Sequence, residues 1–245
     1  MKMLVFAGRN RKEILRDPLS TVFGLGFPTV LLLIFYFMQK NVPDMPQEVF
    51  GIRAFAPGMA VFGLSFLTLF LGMLMTGDRK SAFLTRLLAS PMTAGDFLAG
   101  YALPVLGLAI AQNIVFFFLA ILLGLPPDIH LLAALIALLP AALLFVGLGL
   151  LLGSLLSSET QVGGIGSILI NVCAFLSGTW FSLDMLGGTF AGICRLLPFA
   201  HAVDAVKCAL AGEYSTVPTH VLWVLGYAAA AWGVAAWLFH RRRRE

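Results

Sequence analysis

A chain of 245 residues that is 60% hydrophobic and 11% charged, with a mean hydropathy of +0.94, cannot be a water-soluble domain, because no such fold could keep this much apolar surface from water. Its formal charge of +4 belongs to membrane topology and not to nucleic-acid binding, since the Arg241 to Arg244 run follows an apolar stretch as a lipid-facing stop. Cys173 falls within an apolar stretch; Cys194 and Cys208 share one segment and either pair in an oxidising compartment or pack as small apolar side chains.

In chain order, Met1 to Pro18 mixes Leu4, Val5, Phe6, Ile14 and Leu15 with Arg9, Arg11, Lys12 and Arg16, which suits a helix lying in the membrane interface and redirected at Pro18. Six stretches without Asp, Glu, Lys or Arg follow: Pro18 to Gln39, Ala54 to Gly77, Phe97 to Pro127, Ile129 to Ser158, Thr160 to Leu183 and Tyr214 to His240, the shortest 22 residues long. A hydrocarbon core about 30 Å thick needs about 20 apolar residues at about 1.5 Å each, so every stretch can span. The predicted spans are Ser20 to Gln39, Ala54 to Thr76, Phe97 to Leu123, Leu131 to Leu156, Gly163 to Phe181 and Val221 to Phe239. From Ser182 to Pro218 the apolar pieces are short and broken by Asp184, Gly187, Gly188, Arg195, Pro198, Asp204 and Lys207, a pattern suited to helices that dip into the outer leaflet and return. The expectation is an all-α polytopic bundle in one domain over residues 1–245, with an interfacial helix at 1–18, six transmembrane helices and a re-entrant region at 182–218.

Orientation follows from Lys and Arg, which stay on the cytoplasmic side of short loops. With the N-terminus inside, twelve basic residues face the cytoplasm: Lys2, Arg9, Arg11, Lys12, Arg16, Arg79, Lys80, Arg86 and Arg241 to Arg244. Lys40, Arg53, Arg195 and Lys207 lie on the other side, and both termini are therefore expected in the cytoplasm. The first apolar run is too long for a cleaved signal peptide and no small-x-small site follows it.

Chemistry is sparse. No lysine follows a glycine, so the chain has no P-loop of its own and any ATP must bind elsewhere. His130, His201, His220 and His240 fall at span ends or in loops without metal-ligand spacing. Ser177-Gly178 is similar to the nucleophile of intramembrane serine proteases, but Phe175 stands where that motif has glycine and the last span holds no opposing histidine. No ionisable residue sits at mid-depth for a proton relay or ion site, which counts against a secondary transporter or channel-like protein. Gly147, Gly149 and Gly153, then Gly163, Gly164 and Gly166, let helices approach closely, within the chain or between subunits.

Three patches, in order, carry a family resemblance. Arg16-Asp17-Pro18 with Pro28 is similar to a passage from interfacial helix to first span. Asp78-Arg79-Lys80, then Leu84-Thr85-Arg86-Leu87-Leu88-Ala89-Ser90-Pro91-Met92-Thr93 with Asp96 and Gly100, resembles a cytoplasmic loop containing a coupling helix. Ser177-Gly178 and Leu197 to Lys207, with Pro198, His201, Asp204 and Lys207 in register, resemble a re-entrant region before a last helix. Together they resemble the permease subunit of ABC-2 type transporters. Family members more often place Glu where Asp78 and Asp96 stand, and Lys where Tyr101 stands.

The resemblance implies a non-enzymatic transport subunit in a bacterial or archaeal plasma or inner membrane. It would act with a second copy or a related permease and with two P-loop ATPase subunits that hold ATP and Mg; the chain itself would carry no cofactor. It further implies ATPase coupling through Asp78, Arg79, Leu84, Arg86, Leu87, Leu88, Pro91 and Asp96, an interfacial helix ending at Arg16, Asp17 and Pro18, and an external gate at Asp184, Pro198, His201, Asp204 and Lys207. Apolar and aromatic spans, including Phe35 to Phe37, Phe62, Phe66 and Phe116 to Phe118, favour a hydrophobic or amphipathic cargo such as a drug, lipid or lipid-linked glycan.

Overall fold

The computed structural model describes residues 2–16, 18–42, 51–80, 92–181, 183 and 187–242, with side chains except those of 18–25, 80 and 242. Among these residues there are nine helices and no strand: α1 Lys2–Arg16, α2 Pro18–Asn41, α3 Ile52–Lys80, α4 Ala94–Leu122, α5 Ile129–Leu155, α6 Glu159–Leu176, α7 Gly188–Leu196, α8 Pro198–Ala211 and α9 Val217–Arg242. Five of them, α3, α4, α5, α6 and α9, are long and apolar enough to cross a membrane. The first expected span, Ser20 to Gln39, is helical as α2, and α7 and α8 fall within the stretch expected to be re-entrant. At 14 residues α8 is about 21 Å long, short of the hydrocarbon thickness.

The bundle is built around α5, which is apolar on all sides and packs against α3, α8 and α9. Small residues set the helix distances. A side chain at Gly149 would meet Leu71 Cβ and the Thr68 carbonyl at 2.9 Å, and one at Gly153 would meet Met75 at 2.8 Å. At Gly147 it would meet the Trp232 ring at 2.6 Å, and the same indole donates to the Leu143 carbonyl at 2.9 Å. Gly147, Gly149 and Gly153 thus serve packing within the chain. The Thr68 hydroxyl adds a bond from α3 to the Phe145 carbonyl at 2.8 Å, satisfied inside the bundle where no water competes.

The fifth predicted span is displaced. Gly163 to Phe181 was expected, but α6 begins four residues earlier because Ser158 caps it through Gln161 N at 3.2 Å while the Gln161 side chain reaches back to Ser157 N at 3.1 Å. It ends at Leu176 because Ser177 turns onto the Ala174 carbonyl at 2.9 Å and Gly178 takes a left-handed φ of +71°.

The helix α1 and the last turns of α9 meet at one end of the bundle, the end nearer the termini. Phe6 of α1 stacks on Phe97 of α4 at 5.4 Å between centroids, and Phe97 stacks on Phe239 of α9 at 4.3 Å.

Candidate functional site

The end that holds the termini is organised by one carboxylate. Asp78, in the last turn of α3, has its side chain 4% exposed and accepts two bonds from the Arg9 guanidinium, 2.6 Å from Nη1 and 2.8 Å from Nη2. The Tyr101 hydroxyl donates to the same carboxylate at 2.7 Å. A bidentate guanidinium with a further donor is the arrangement in which a buried ion pair offsets its desolvation.

The sequence of α1 explains why Arg9 arrives there. Phe6, Ala7, Asn10 and Ile14 recur at helical spacing and are buried, whereas Leu4, Val5, Arg11, Lys12, Leu15 and Arg16 point outward. The outward set thus mixes basic with apolar side chains, and the inward set carries the contacts to the bundle. Phe6 lies over Gly100 of α4, where a methyl group would collide with its ring. Asn10 donates to the Gly100 carbonyl at 3.1 Å and accepts from Arg9 at 2.8 Å, which fixes the guanidinium. Burial opposes the Arg9 charge, but the bond and charge of Asp78 outweigh it and its pKa lies above the ordinary value. Glu13 completes the group 2.6 Å from Arg9; burial and then repulsion from Asp78 raise its pKa against the pull of Arg9.

The next residue binds a different element. Arg79 donates to the carbonyls of Leu156 at 2.9 Å and Ser154 at 3.4 Å, setting a cation on the C-terminus of α5. Beyond the intervening segment, Thr93 and Asp96 form a reciprocal cap that starts α4: Asp96 N donates to Thr93 Oγ1 at 3.1 Å and Thr93 N to Asp96 Oδ2 at 3.1 Å. Both roots of the 81–91 segment are therefore anchored.

The opposite end is tied through backbone carbonyls. Trp223 and Tyr227 of α9 donate to the Leu196 carbonyl at 3.2 and 2.9 Å, closing the C-terminus of α7. Pro198 opens α8, whose Ala200, Ala202, Val203, Ala205, Val206 and Ala209 are buried. His201 Nε2 lies 2.9 Å from the Arg195 carbonyl and must carry the hydrogen there, leaving its Nδ1 to accept from His220 Nδ1 at 2.7 Å. Burial first, and then the neighbouring His220, hold the His201 pKa below the ordinary value despite that carbonyl. Asp204 is half-buried on the same helix, and Lys207 lines a cavity near its end.

Of the residues expected to function, Asp78, Arg79, Asp96, Arg16, Pro198, His201, Asp204 and Lys207 are therefore described. Asp96 serves as a helix cap. Leu84, Arg86, Leu87, Leu88, Pro91, Asp17 and Asp184 lie outside the described residues, as does the side chain of Pro18. Sequence reasoning missed the partnership of Arg9, Asn10 and Tyr101 with Asp78. Tyr101 stood out as a departure from the family pattern, which was the available signal. The aromatic residues mostly form core: Phe62, Phe116 and Phe117 are buried and Phe35 packs on Phe55 at 4.1 Å, while Phe37 and Phe118 face outward. The three cysteines are free thiols.

Comparison with known proteins gives the family. The profile of the ABC-2 type transporter family matches residues 2–210. The chain is 25% identical to Nodulation protein J of Rhizobium leguminosarum bv. viciae over 230 residues, covering 93% of this chain and 85% of that protein. It is 26% identical to Nodulation protein J of Rhizobium meliloti (strain 1021) over 231 residues, covering 93% and 84%. A family match across most of the chain, on a bundle of apolar helices long enough to cross a bilayer, makes this multi-pass membrane protein a member of the ABC-2 type transporter family.

Proposed function

We propose that the chain is the permease subunit of an ATP-driven exporter, six spans with both termini in the cytoplasm and α7 and α8 re-entrant from the outside. It pairs with a second copy or a related permease and with two P-loop ATPase subunits, which bind ATP and Mg, in a bacterial or archaeal plasma or inner membrane. The supporting observation is the anchoring of both roots of the 81–91 segment. Asp78 joins α3 to α1 and α4, Arg79 joins it to the end of α5, and the Thr93 and Asp96 cap fixes the start of α4. A push on a helix formed around Leu84 to Ser90 would reach four helices as one rigid displacement. ATP closure of the ATPases supplies the energy, and Arg86, Leu87, Leu88 and Pro91 meet the ATPase surface.

The cargo in this reading is hydrophobic or amphipathic, a drug, a lipid or a lipid-linked glycan, moving past apolar spans without a charged midplane. Pro198, His201, Asp204 and Lys207, spaced three apart along α8, with Asp184 before them, form the external gate. The decisive experiment purifies the protein from its native membranes and then compares ATP turnover with export in R86E and L87D. Co-purification of a P-loop ATPase, with hydrolysis retained and export lost in the variants, is expected. Unchanged export would remove the coupling assignment. Isolation without any nucleotide-binding protein would favour a self-sufficient facilitator.

A further inference from the structure

A cavity of about 390 Å³ opens at the end opposite the Asp78 cluster, between the first turn of α3, the turn joining α4 to α5, and the end of α8. Its floor is apolar, with Leu125, Pro126 and Leu210, and three charged residues line it: Arg53, Asp128 and Lys207. None of the three side chains has a hydrogen bond or an ion pair among the described residues. Asp128 is the more telling. It occupies the N-cap of α5, where an Asp ordinarily accepts from the first helical N–H groups, yet its side chain makes no such bond and lines the cavity.

Two open cations and one open carboxylate around an apolar floor restrict what fits. A simple anion would leave Asp128 as a repulsive neighbour, a neutral sugar would leave all three charges unmatched, and a purely apolar ligand would strand them. A zwitterion with a phosphodiester and a primary ammonium matches each: the phosphate between Arg53 and Lys207, the ammonium at Asp128. Leu122, Ile129 and Leu132 stand exposed on the neighbouring ends of α4 and α5, a surface for acyl chains. We propose that this cavity binds the headgroup of a phosphoethanolamine lipid resident in the bilayer. The ligand bridges α3, α8 and the α4–α5 turn, supplying the cross-links that side chains supply at the other end. The inference is independent of the cargo.

The test uses the full chain in lipid-free detergent micelles, with lipid binding followed by native mass spectrometry. The probes are dioleoyl phosphatidylethanolamine, dioleoyl phosphatidylglycerol, dioleoylglycerol, and the soluble glycerophosphoethanolamine and inorganic phosphate. Phosphatidylethanolamine is expected to bind at least about tenfold more tightly than dioleoylglycerol. R53Q/K207Q is expected to abolish that advantage, and D128N to remove the preference for phosphatidylethanolamine over phosphatidylglycerol while leaving phosphatidylglycerol bound. Equal binding of all three lipids, or a preference unchanged in R53Q/K207Q, overturns the proposal. Soluble glycerophosphoethanolamine binding as tightly as the lipid overturns the lipid as ligand. Should R53Q/K207Q unfold, the single R53Q, altered at an exposed position, decides the matter by the same readout.

Discussion

The two ends of the bundle hold comparable charges and use them in opposite ways. Where the termini lie, Arg9, Asp78 and Arg79 each bind a group on another element, and the Asp78 carboxylate is almost wholly buried with three donated bonds. At the other end Arg53, Asp128 and Lys207 are open, and the elements are joined by imidazole, indole and phenol groups on backbone carbonyls and on each other. Charge content alone therefore does not distinguish a weld from a receptor. The distinction lies in whether a partner stands within bonding distance on another helix. In the proposals above, the welded end transmits displacement and the open end receives a ligand.

The contrast can be broken most severely at Asp78. D78A leaves the buried Tyr101 hydroxyl without its acceptor and strips the Arg9 guanidinium of its bidentate partner, and is expected to cost about 3 kcal/mol, the lower part of the range for a broken buried pair because Arg9 is partly solvated and keeps Asn10 and Glu13. Thermal unfolding in detergent measures it. The R9Q/D78N double variant should lose less than the sum of its singles, as coupled neighbours do. A paired glycine comparison comes next: G100A drives a methyl group into the Phe6 ring and should cost about 2 kcal/mol. G192A, in α7 at the other end, meets nothing within 4 Å and should be neutral or slightly stabilising. R79Q removes the cation from the end of α5 and should cost about 1 kcal/mol by the same unfolding assay.

The smallest effect is one of pH and belongs to the open end. His201 is neutral in the fold, with its pKa below the ordinary value of about 6.5. Stability is therefore fully present above that value and is lost as pH falls toward the lowered one, because the unfolded chain takes up the proton first. Hydrogen exchange in α7 and α8 should rise on acidification from neutrality, and H201Q should flatten the response. A pH response centred on α1 instead would invert the contrast.

Much of the fold was legible in the sequence. Uncharged runs longer than the bilayer thickness located the helices, because burying a charge in hydrocarbon is too costly to occur by accident. The boundaries of α6 were misjudged because Ser158 and Gln161 cap it from within a polar stretch that hydropathy reads as loop. The site was half legible. Asp78 and Arg79 were singled out by the resemblance of the stretch after the second span to a coupling loop, but nothing in a linear sequence says that Arg9 crosses 69 residues to reach Asp78, since Arg9 in isolation looks like the other outward basic residues of α1. Nor could the sequence give His201 and His220 a common hydrogen bond, which depends on the angle at which α8 meets α9.

The seat of α1 bears on the order in which the protein is built. Every group that α1 grips comes later in the chain: Asp78, then Phe97, Gly100 and Tyr101, and through Phe97 the ring of Phe239. As the chain emerges from the ribosome, α1 has no bundle to join. It cannot seat until α3 and α4 are in place, and its aromatic side closes only when α9 brings Phe239 against Phe97. The helix α1 is thus made before the groups it grips and seated after them, and its docking marks a finished bundle.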